Sequence, residues 1–596
     1  MTASPPHAMG LLRLSLVAIL VGAITGVGAI VFRILIGFVH NLMFLGQASV
    51  DYDATVYTPE SPWGVFVILV PVIGAIGVTF LVKTFAPEAR GHGVPEVIDA
   101  IYYKEGRIRP IVAAVKSLAS ALAIGSGSSV GREGPIIQIG ASLGSTIGQV
   151  LPMAAWQRIT LVAAGAGAGI AATFNTPIGG VMFAIELMMP EVSVRTFLPV
   201  ALATGTATYV SRLFLGLAPA FQVPTLALSS GHVTSVETLL LYAVLGVLAG
   251  ATSAAFVRGL RVFEDAFERI PNPYLRHVSG MLVVGLLMYL LFLSTGHYHV
   301  ESVGYSTVED ILGGGLALPG LLAILLAAKL LATLLSLGSG SSGGVFSPSL
   351  FLGATLGAAF GGVCGMVAPA LGLSLPAFAV VGMAAVVGGS TAAAMTAVTM
   401  IFEMTRDYGI VMPMIIAVAI SIGIRRLLSR ETIYTMKLEG RRHFIPQALH
   451  ANMFLVRHAA DVMDRDVLIL PAGTPLEAVL KDSPSAGTLR HIVATADGRI
   501  VGAVRINADL HGTLKASKAG TTLGEVATAN IVTVGEQDVM FDVIGRMSKT
   551  GAGMAVVVRS AESGAPSGIL GVITKEHVAD SVADSIRPYA ETDPST

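Results

Sequence analysis

Glu133 stands between Arg132 and Gly134 in Gly125-Ser-Gly-Ser-Ser-Val-Gly-Arg-Glu-Gly-Pro135, a glycine-rich stretch closed by proline that runs into an apolar helical pattern. The stretch returns as Gly338-Ser-Gly-Ser-Ser-Gly-Gly-Val-Phe-Ser-Pro348; extended to Gly144 and Gly357, the two copies align without gaps and about half their positions are identical. Each copy is predicted to open a helix. The first turn of a helix leaves backbone N–H groups unpaired at the positive end of its dipole, and such groups bind anions. A carboxylate in that place mimics the anion: ionised, Glu133 is expected to occupy the site through the amides of its own helix start; protonated, it is expected to swing away and admit an ion. The bland alternative is an acid that only complements the dipole. In the second copy Val345 and Phe346 replace Arg132 and Glu133, so that copy is predicted to offer N–H groups without a competing acid and to hold an anion permanently.

Composition decides what surrounds these loops. The 596 residues include 13% charged side chains, about half the usual share, and the mean hydropathy is +0.74, so most of the chain belongs in lipid. A formal net charge of −1 gives no basic surface for nucleic acid. The single Cys364 excludes an intramolecular disulfide. Residues 1–10 read as a short polar cytoplasmic tail, and the apolar run from Leu11 reads as a retained helix rather than a signal peptide. Gly 68 suits membrane helices that pack closely.

Residues 11–45 form one long helix, since about 20 apolar residues already span the hydrocarbon. Residues 46–62 carry Asp51, Asp53 and Glu60 without Lys or Arg, whereas Lys83, Arg90, Lys104, Arg107 and Arg109 follow the next span. By the positive-inside rule the N-terminus is cytoplasmic. Arg258, Arg261, Arg269 and Arg276 mark a second cytoplasmic connection, and residues 214–237 and 295–310, free of Lys and Arg, read as exterior. The last span, 410–424, ends at Arg425, Arg426 and Arg430, which places the C-terminus in the cytoplasm also. Between these markers, stretches such as 111–124 and 136–151 are too short to span alone. They read as broken or re-entrant helices, tolerated at membrane depth only where they are buried in protein or line a cavity.

From about His458 the pattern changes to strand-length apolar runs alternating with amphipathic helices: 467–470, 474–480, 492–495 and 500–504, then 523–526, 531–534, 541–547, 554–558 and 569–574. Two similar β-α-β-β units are predicted, spanning 458–513 and 521–586, with a polar end at 587–596.

Four signatures stand in order along residues 11–450: Gly91-His-Gly-Val-Pro95, Gly131-Arg-Glu-Gly-Pro135, Gly344-Val-Phe-Ser-Pro348 and Tyr434 in Glu431-Thr-Ile-Tyr-Thr435. Ala172-Thr-Phe-Asn-Thr-Pro177, followed by Glu186, and Glu403-Met-Thr-Arg-Asp-Tyr408, followed by Pro413, accompany them. With these motifs the chain resembles the CLC chloride channels and chloride/proton exchangers. The resemblance implies an all-α polytopic membrane domain built as an inverted-topology repeat of broken helices, with halves at about 11–213 and 235–450, plus a small cytoplasmic α/β domain. It implies a transporter, not an enzyme: a homodimer in the plasma (inner) membrane with one chloride pathway per subunit, Glu133 as external gate and proton acceptor, and His92, Arg132, Gly134, Val345, Phe346 and Tyr434 around the anion. Tyr434 is expected to donate its hydroxyl to the central ion; an interfacial aromatic is the alternative.

Two positions depart from the family. Many members have serine where this chain has His92, and nitrate-preferring ones have proline; a neutral imidazole donates one N–H, and a protonated one adds charge, while a histidine bonded elsewhere, without contact to the ion, is the other reading. Well-coupled bacterial exchangers carry two successive glutamates where this chain has Glu186-Leu187, the second being the internal proton donor. Leu187 carries no proton, and Glu186 lies about 100° around the helix from it. The expected mode is therefore a channel or weakly coupled antiporter, with strict exchange through another inner proton route as the alternative.

The C-terminal units resemble a pair of CBS domains, which in the family often bind adenine nucleotides through an aspartate three residues after a Ser or Thr. Gly571-Val-Ile-Thr574 is followed by His577, and Gly502-Ala-Val504 by Arg505 and Ala508 with Asp509 one place late, so neither unit matches the nucleotide pattern in register and a structural, dimer-supporting module is the alternative. No metal or cofactor is implied. A reading from another class comes from Gly127-Ser-Ser-Val-Gly131 and Gly340-Ser-Ser-Gly-Gly344, which match the Gly-x-Ser-x-Gly elbow of serine hydrolases; with His92, His297 or His299 an intramembrane peptidase can be sketched. Duplication of the elbow makes no sense for one nucleophile.

Overall fold

Only helices satisfy their own amides in lipid, and the apolar runs of this chain fold accordingly. The computed structural model describes residues 9–217, 221, 235–441, 443, 456–475, 478, 491–505, 520–559 and 568–580. Most of the exterior connection 214–237, the first eight residues, most of the 474–480 helix, Ala508, Asp509 and the end 587–596 lie outside them. The chain divides into Met1–His443 and Phe444–Thr596.

The first unit comprises α1 Leu11–Leu45, α2 Val70–Phe85, α3 Val94–Tyr103, α4 Ile111–Gly125, α5 Glu133–Val150, α6 Ala155–Phe174, α7 Pro177–Phe183, α8 Val194–Leu215, α9 Val236–Glu268, α10 Pro273–Thr295, α11 Tyr305–Leu312, α12 Pro319–Ser339, α13 Phe346–Val367, α14 Leu375–Thr391, α15 Ala394–Thr405, α16 Val411–Leu428 and α17 Thr435–Gly440. Among the described residues, seven helical segments are long and apolar enough to cross a membrane, whereas Ile111–Gly125, Pro177–Met188, Leu375–Thr391 and Ala394–Thr405 are apolar but shorter. Short apolar helices of this kind need protein around their ends.

The sequence repeat is also a structural one. α5 crosses α6 where a Cβ on Gly140 would overlap the Gly165 carbonyl oxygen, and α13 crosses α14 where a Cβ on Gly353 would overlap that of Gly382. Glycine at both members of each crossing lets the backbones touch. The second example is reciprocal. Glu186 accepts hydrogen bonds from Met395 N (3.1 Å), Thr396 N (2.8 Å) and Thr396 Oγ1 (2.7 Å) at the start of α15. Glu403, on α15, accepts from Ile178 N (3.1 Å) and Gly179 N (2.7 Å) at the start of α7. Each acid satisfies the orphan amides of the other half's helix.

In the second unit β1 Val467–Pro471 pairs parallel with β2 His491–Ala496, which pairs antiparallel with β3 Arg499–Arg505; β4 Ile531–Gly535, β5 Met554–Val558 and β6 Ile569–Thr574 repeat that order. A parallel pair requires a crossover; α18 Ala459–Val462 precedes the first sheet, α19 Leu523–Val526 precedes the second, and α20 Met540–Thr550 is the crossover of the second. Alternation along the strands builds two kinds of core. Ile492 and Ala494 pack with Leu523, while Val493 and Ala503 face Val556 and Val572 of the other sheet.

Candidate functional site

Three loops meet inside the first unit. Gly131 N donates to Gly344 O (2.7 Å) and Gly344 N to Gly131 O (2.6 Å), so the two copies are zipped together at their helix starts. Gly91 N donates to Ser341 O (3.2 Å) and Gly343 N to Gly91 O (3.3 Å), which ties the third loop to the second copy. A Cβ on Gly134 would overlap the His92 carbonyl oxygen and press on Gly344 Cα. Gly134→Ala is therefore expected to force the loops apart and cost about 1–3 kcal/mol; a wild-type unfolding temperature in detergent for the purified variant would show that the contact tolerates a methyl group.

Helix α5 begins at Glu133 itself, three residues before the apolar run begins at Ile136. Its side chain is fully buried, and it does not turn back on its own helix start as expected. The carboxylate reaches across to the second copy, where it accepts from Ser347 N (3.2 Å) and Ser347 Oγ (2.6 Å), and also from the Tyr305 hydroxyl. The expectation that the second copy's amides carry no competing acid is corrected by this geometry. The physical reason is the Gly131–Gly344 pairing, which brings the α13 start to the α5 start, so one acid serves the other half's helix.

Around it, Val345 and Phe346 are buried, with the Phe346 ring 5.5 Å from that of Phe174. The Arg132 guanidinium lies 5.2 Å from the centre of the Tyr305 ring, and its Nε has no hydrogen-bond partner. His92 is 1% exposed, and neither ring nitrogen has a hydrogen-bond partner. Its ring centre is 5.8 Å from that of Tyr434. Tyr434 is 2% exposed, buried at the start of α17 rather than interfacial. A buried imidazole without a partner is unusual enough to need an account. Contacts run from Tyr305 through Glu133 and Gly134 to His92 and Tyr434.

Two cavities lie in the first unit, and one of them reaches Tyr305. One of about 220 Å³ is lined by Arg33, Asp53, Arg132, Tyr305 and Glu309. Another of about 530 Å³ is lined by Glu88, Glu96, Lys104, Arg107, Arg109, Gln138 and Arg441, where Arg109 pairs with Glu88, Arg441 with Glu96, Lys104 with Asp99 and Arg107 with Glu105. Outside the spans, burial pushes the Glu301 carboxyl up to about 7, against a Thr58 hydrogen bond and the Lys329 charge.

Sequence reasoning missed four residues here: Tyr305, Ser347 and two fully buried lysines. Lys116 Nζ donates to Ala89 O (2.9 Å) and Gly91 O (2.7 Å); Lys329 Nζ donates to Val300 O (3.2 Å) and Ser302 O (2.9 Å). They occupy matching places in the two copies, and a lysine inside an apolar segment is signal enough to single out. Leu187 is half-buried in a π-helical turn, Ala184–Met188, that continues α7. Ser129, the elbow serine, has its hydroxyl 3.5 Å from Thr333 Oγ1; His297 stacks on Tyr57, and His299 meets both rings edge-on.

An acid bound between two facing helix starts, inside membrane-length and half-length helices repeated in two halves, defines a membrane ion-transport protein of the broken-helix class. A family profile described as voltage gated chloride channel matches residues 73–426. The H(+)/Cl(−) exchange transporter ClcA of Salmonella arizonae is 32% identical over 433 residues, covering 71% of this chain and 88% of that protein; ClcA of Salmonella newport is 31% identical over the same length. A slow cyanobacterial Cl−/H+ antiporter matches with TM-score 0.64 and 25% identity over 72% of this chain and 98% of its own. A eukaryotic CLC transporter shares the fold with TM-score 0.60 at 20% identity over 95% of this chain and 98% of its own. The chain belongs to the CLC family, whose members are anion transporters and channels rather than enzymes.

Proposed function

We propose that this protein carries chloride across the bacterial inner membrane through a pathway gated by Glu133, as a channel or a weakly coupled chloride/proton antiporter. The observation that supports the gate is the Glu133 carboxylate on Ser347 N and Oγ, the place an anion would take at the start of α13. Protonation removes the charge that these donors hold, and the side chain then leaves the place to an ion. Proton exchange is favoured by the ClcA relatives, which are named as H(+)/Cl(−) exchangers; weak coupling is favoured by Leu187. Strict coupling by another inner route is the second reading. Reconstitution into liposomes with anion and proton fluxes measured together decides between them: anion flux without proton movement is the channel, and a fixed ratio of the two is strict exchange.

His92 and Tyr434 are the proposed central ligands, with Arg132, Gly134, Val345 and Phe346 supplying backbone around the ion. The unpartnered imidazole supports this. His92→Ser is expected to keep transport with altered anion selectivity, and His92→Ala to weaken chloride binding by about 1 kcal/mol, one hydrogen bond. Equal calorimetric affinity in all three proteins would take His92 out of the site.

The two β-α-β-β units are proposed to be a CBS pair, supported by their shared strand order. His577 stands where a nucleotide-binding aspartate is expected, with its N donating to Thr574 Oγ1 at 3.3 Å, so a dimer-supporting role is favoured over adenine nucleotide binding. Family resemblance supports a homodimer with one pathway per subunit and both termini in the cytoplasm.

A further inference from the structure

The two halves differ at one pair of matching positions in a way that concerns Glu133. His92 follows Gly91, whose φ is 74°, and Tyr305 follows Gly304, whose φ is 76°; each stands at the head of a short helix, α3 or α11. Lys116 ties down the loop before His92 through Ala89 O and Gly91 O, and Lys329 ties down the loop before Tyr305 through Val300 O and Ser302 O. Tyr305 is thus the second-half counterpart of His92, held by the same device. Its hydroxyl donates to Glu133 Oε1 and lies 2.9 Å from Ser347 Oγ, and its ring is 1% exposed.

We propose that Tyr305 is a positioning and specificity residue of the outer anion place: its hydroxyl, with that of Ser347, latches the Glu133 carboxylate when the pathway is shut and donates to the anion when the carboxylate has left. This rests on the reading of Glu133 as gate. The donors fit both occupants, since each is an anion that can accept a hydroxyl hydrogen bond and the Ser347 amide. The tyrosine ring also borders the cavity that holds Arg33, Asp53, Arg132 and Glu309, so an anion entering from that side meets the hydroxyl before it meets His92. The charged and titratable groups facing the latch are Arg132 at the head of α5, Lys329 on α12, Glu309 on α11, Arg33 on α1, Asp53 in the connection after α1, and Tyr434 before α17. Glu301 acts through Lys329. None of them replaces a hydroxyl lost from Tyr305, because among the described residues the carboxylate's donors are Tyr305 and Ser347.

The test is chloride efflux from proteoliposomes across a pH series for wild type, Tyr305→Phe, Ser347→Ala, Glu133→Gln and the Glu133→Gln/Tyr305→Phe double variant. With one donor gone the carboxylate leaves its closed place more readily, so the pH of half-maximal flux in Tyr305→Phe moves about one unit to the alkaline side, a tenfold change, and Ser347→Ala moves it the same way. In the double variant the pH profile stays as flat as in Glu133→Gln, and calorimetric chloride affinity falls several-fold below that of Glu133→Gln as the anion loses its donor. A flat Glu133→Gln profile with an unmoved Tyr305→Phe midpoint overturns the latch and leaves the gate standing; a wild-type profile in Glu133→Gln overturns the gate, and the latch with it. If Tyr305→Phe does not yield monodisperse protein, an unmoved midpoint in Ser347→Ala overturns the proposal by itself.

Discussion

Glu133→Gln and Glu133→Ala are expected to make anion flux independent of pH and to abolish any proton movement coupled to it. Glutamine keeps the size and the acceptor oxygen but not the charge, so it mimics the protonated acid; alanine removes the side chain and leaves Ser347 N, Ser347 Oγ and the Tyr305 hydroxyl to whatever anion arrives. The effect is expected to be large because, on the proposed reading, a single group both occupies the anion's place and carries the proton. Desolvated and facing an amide and two hydroxyls, its charge decides which occupant the donors hold. Flux across a pH series with a proton-sensitive dye inside the liposomes reads both quantities at once. Wild-type pH dependence in both variants would sink the assignment.

The site was legible to the extent that its chemistry is written in local sequence. A glycine-rich loop opening an apolar helix, found twice, gives two helix starts, and the acid between Arg132 and Gly134 follows from the first of them. What local sequence does not carry is which amides an acid uses. Glu133 takes those at the start of α13, and Glu186 and Glu403 take each other's; in each case the partner belongs to the opposite half of an inverted repeat, where sequence distance says nothing about spatial distance. Tyr305 was within reach, because extending the repeat alignment backward from Gly338 sets Gly304-Tyr305 against Gly91-His92. The two lysines were likewise visible as lone charges in apolar helices. In the tail, strand periodicity located the strands to within a residue or so.

Restoring an acid at Leu187 is expected to raise the number of protons moved per anion. Beside it, the oxygens of Glu186 accept three hydrogen bonds from the start of α15, so that carboxylate already holds a contact between the two halves. Leu187 lies half-buried on the adjacent π turn. On the proposed reading, a glutamate there is expected to serve as a proton relay between the inner side of the membrane and Glu133. Leu187→Glu should then carry more protons per chloride than the wild type, and the gain should vanish in Glu133→Gln/Leu187→Glu, because the relay ends on Glu133. An imposed chloride gradient with no proton gradient gives the readout: coupled exchange drives protons uphill and a pore cannot. The wild type is expected to pump protons poorly or not at all under these conditions. Tight pumping by the unmodified protein would refute the premise, and the inner proton route would then run through Glu186 or ordered water.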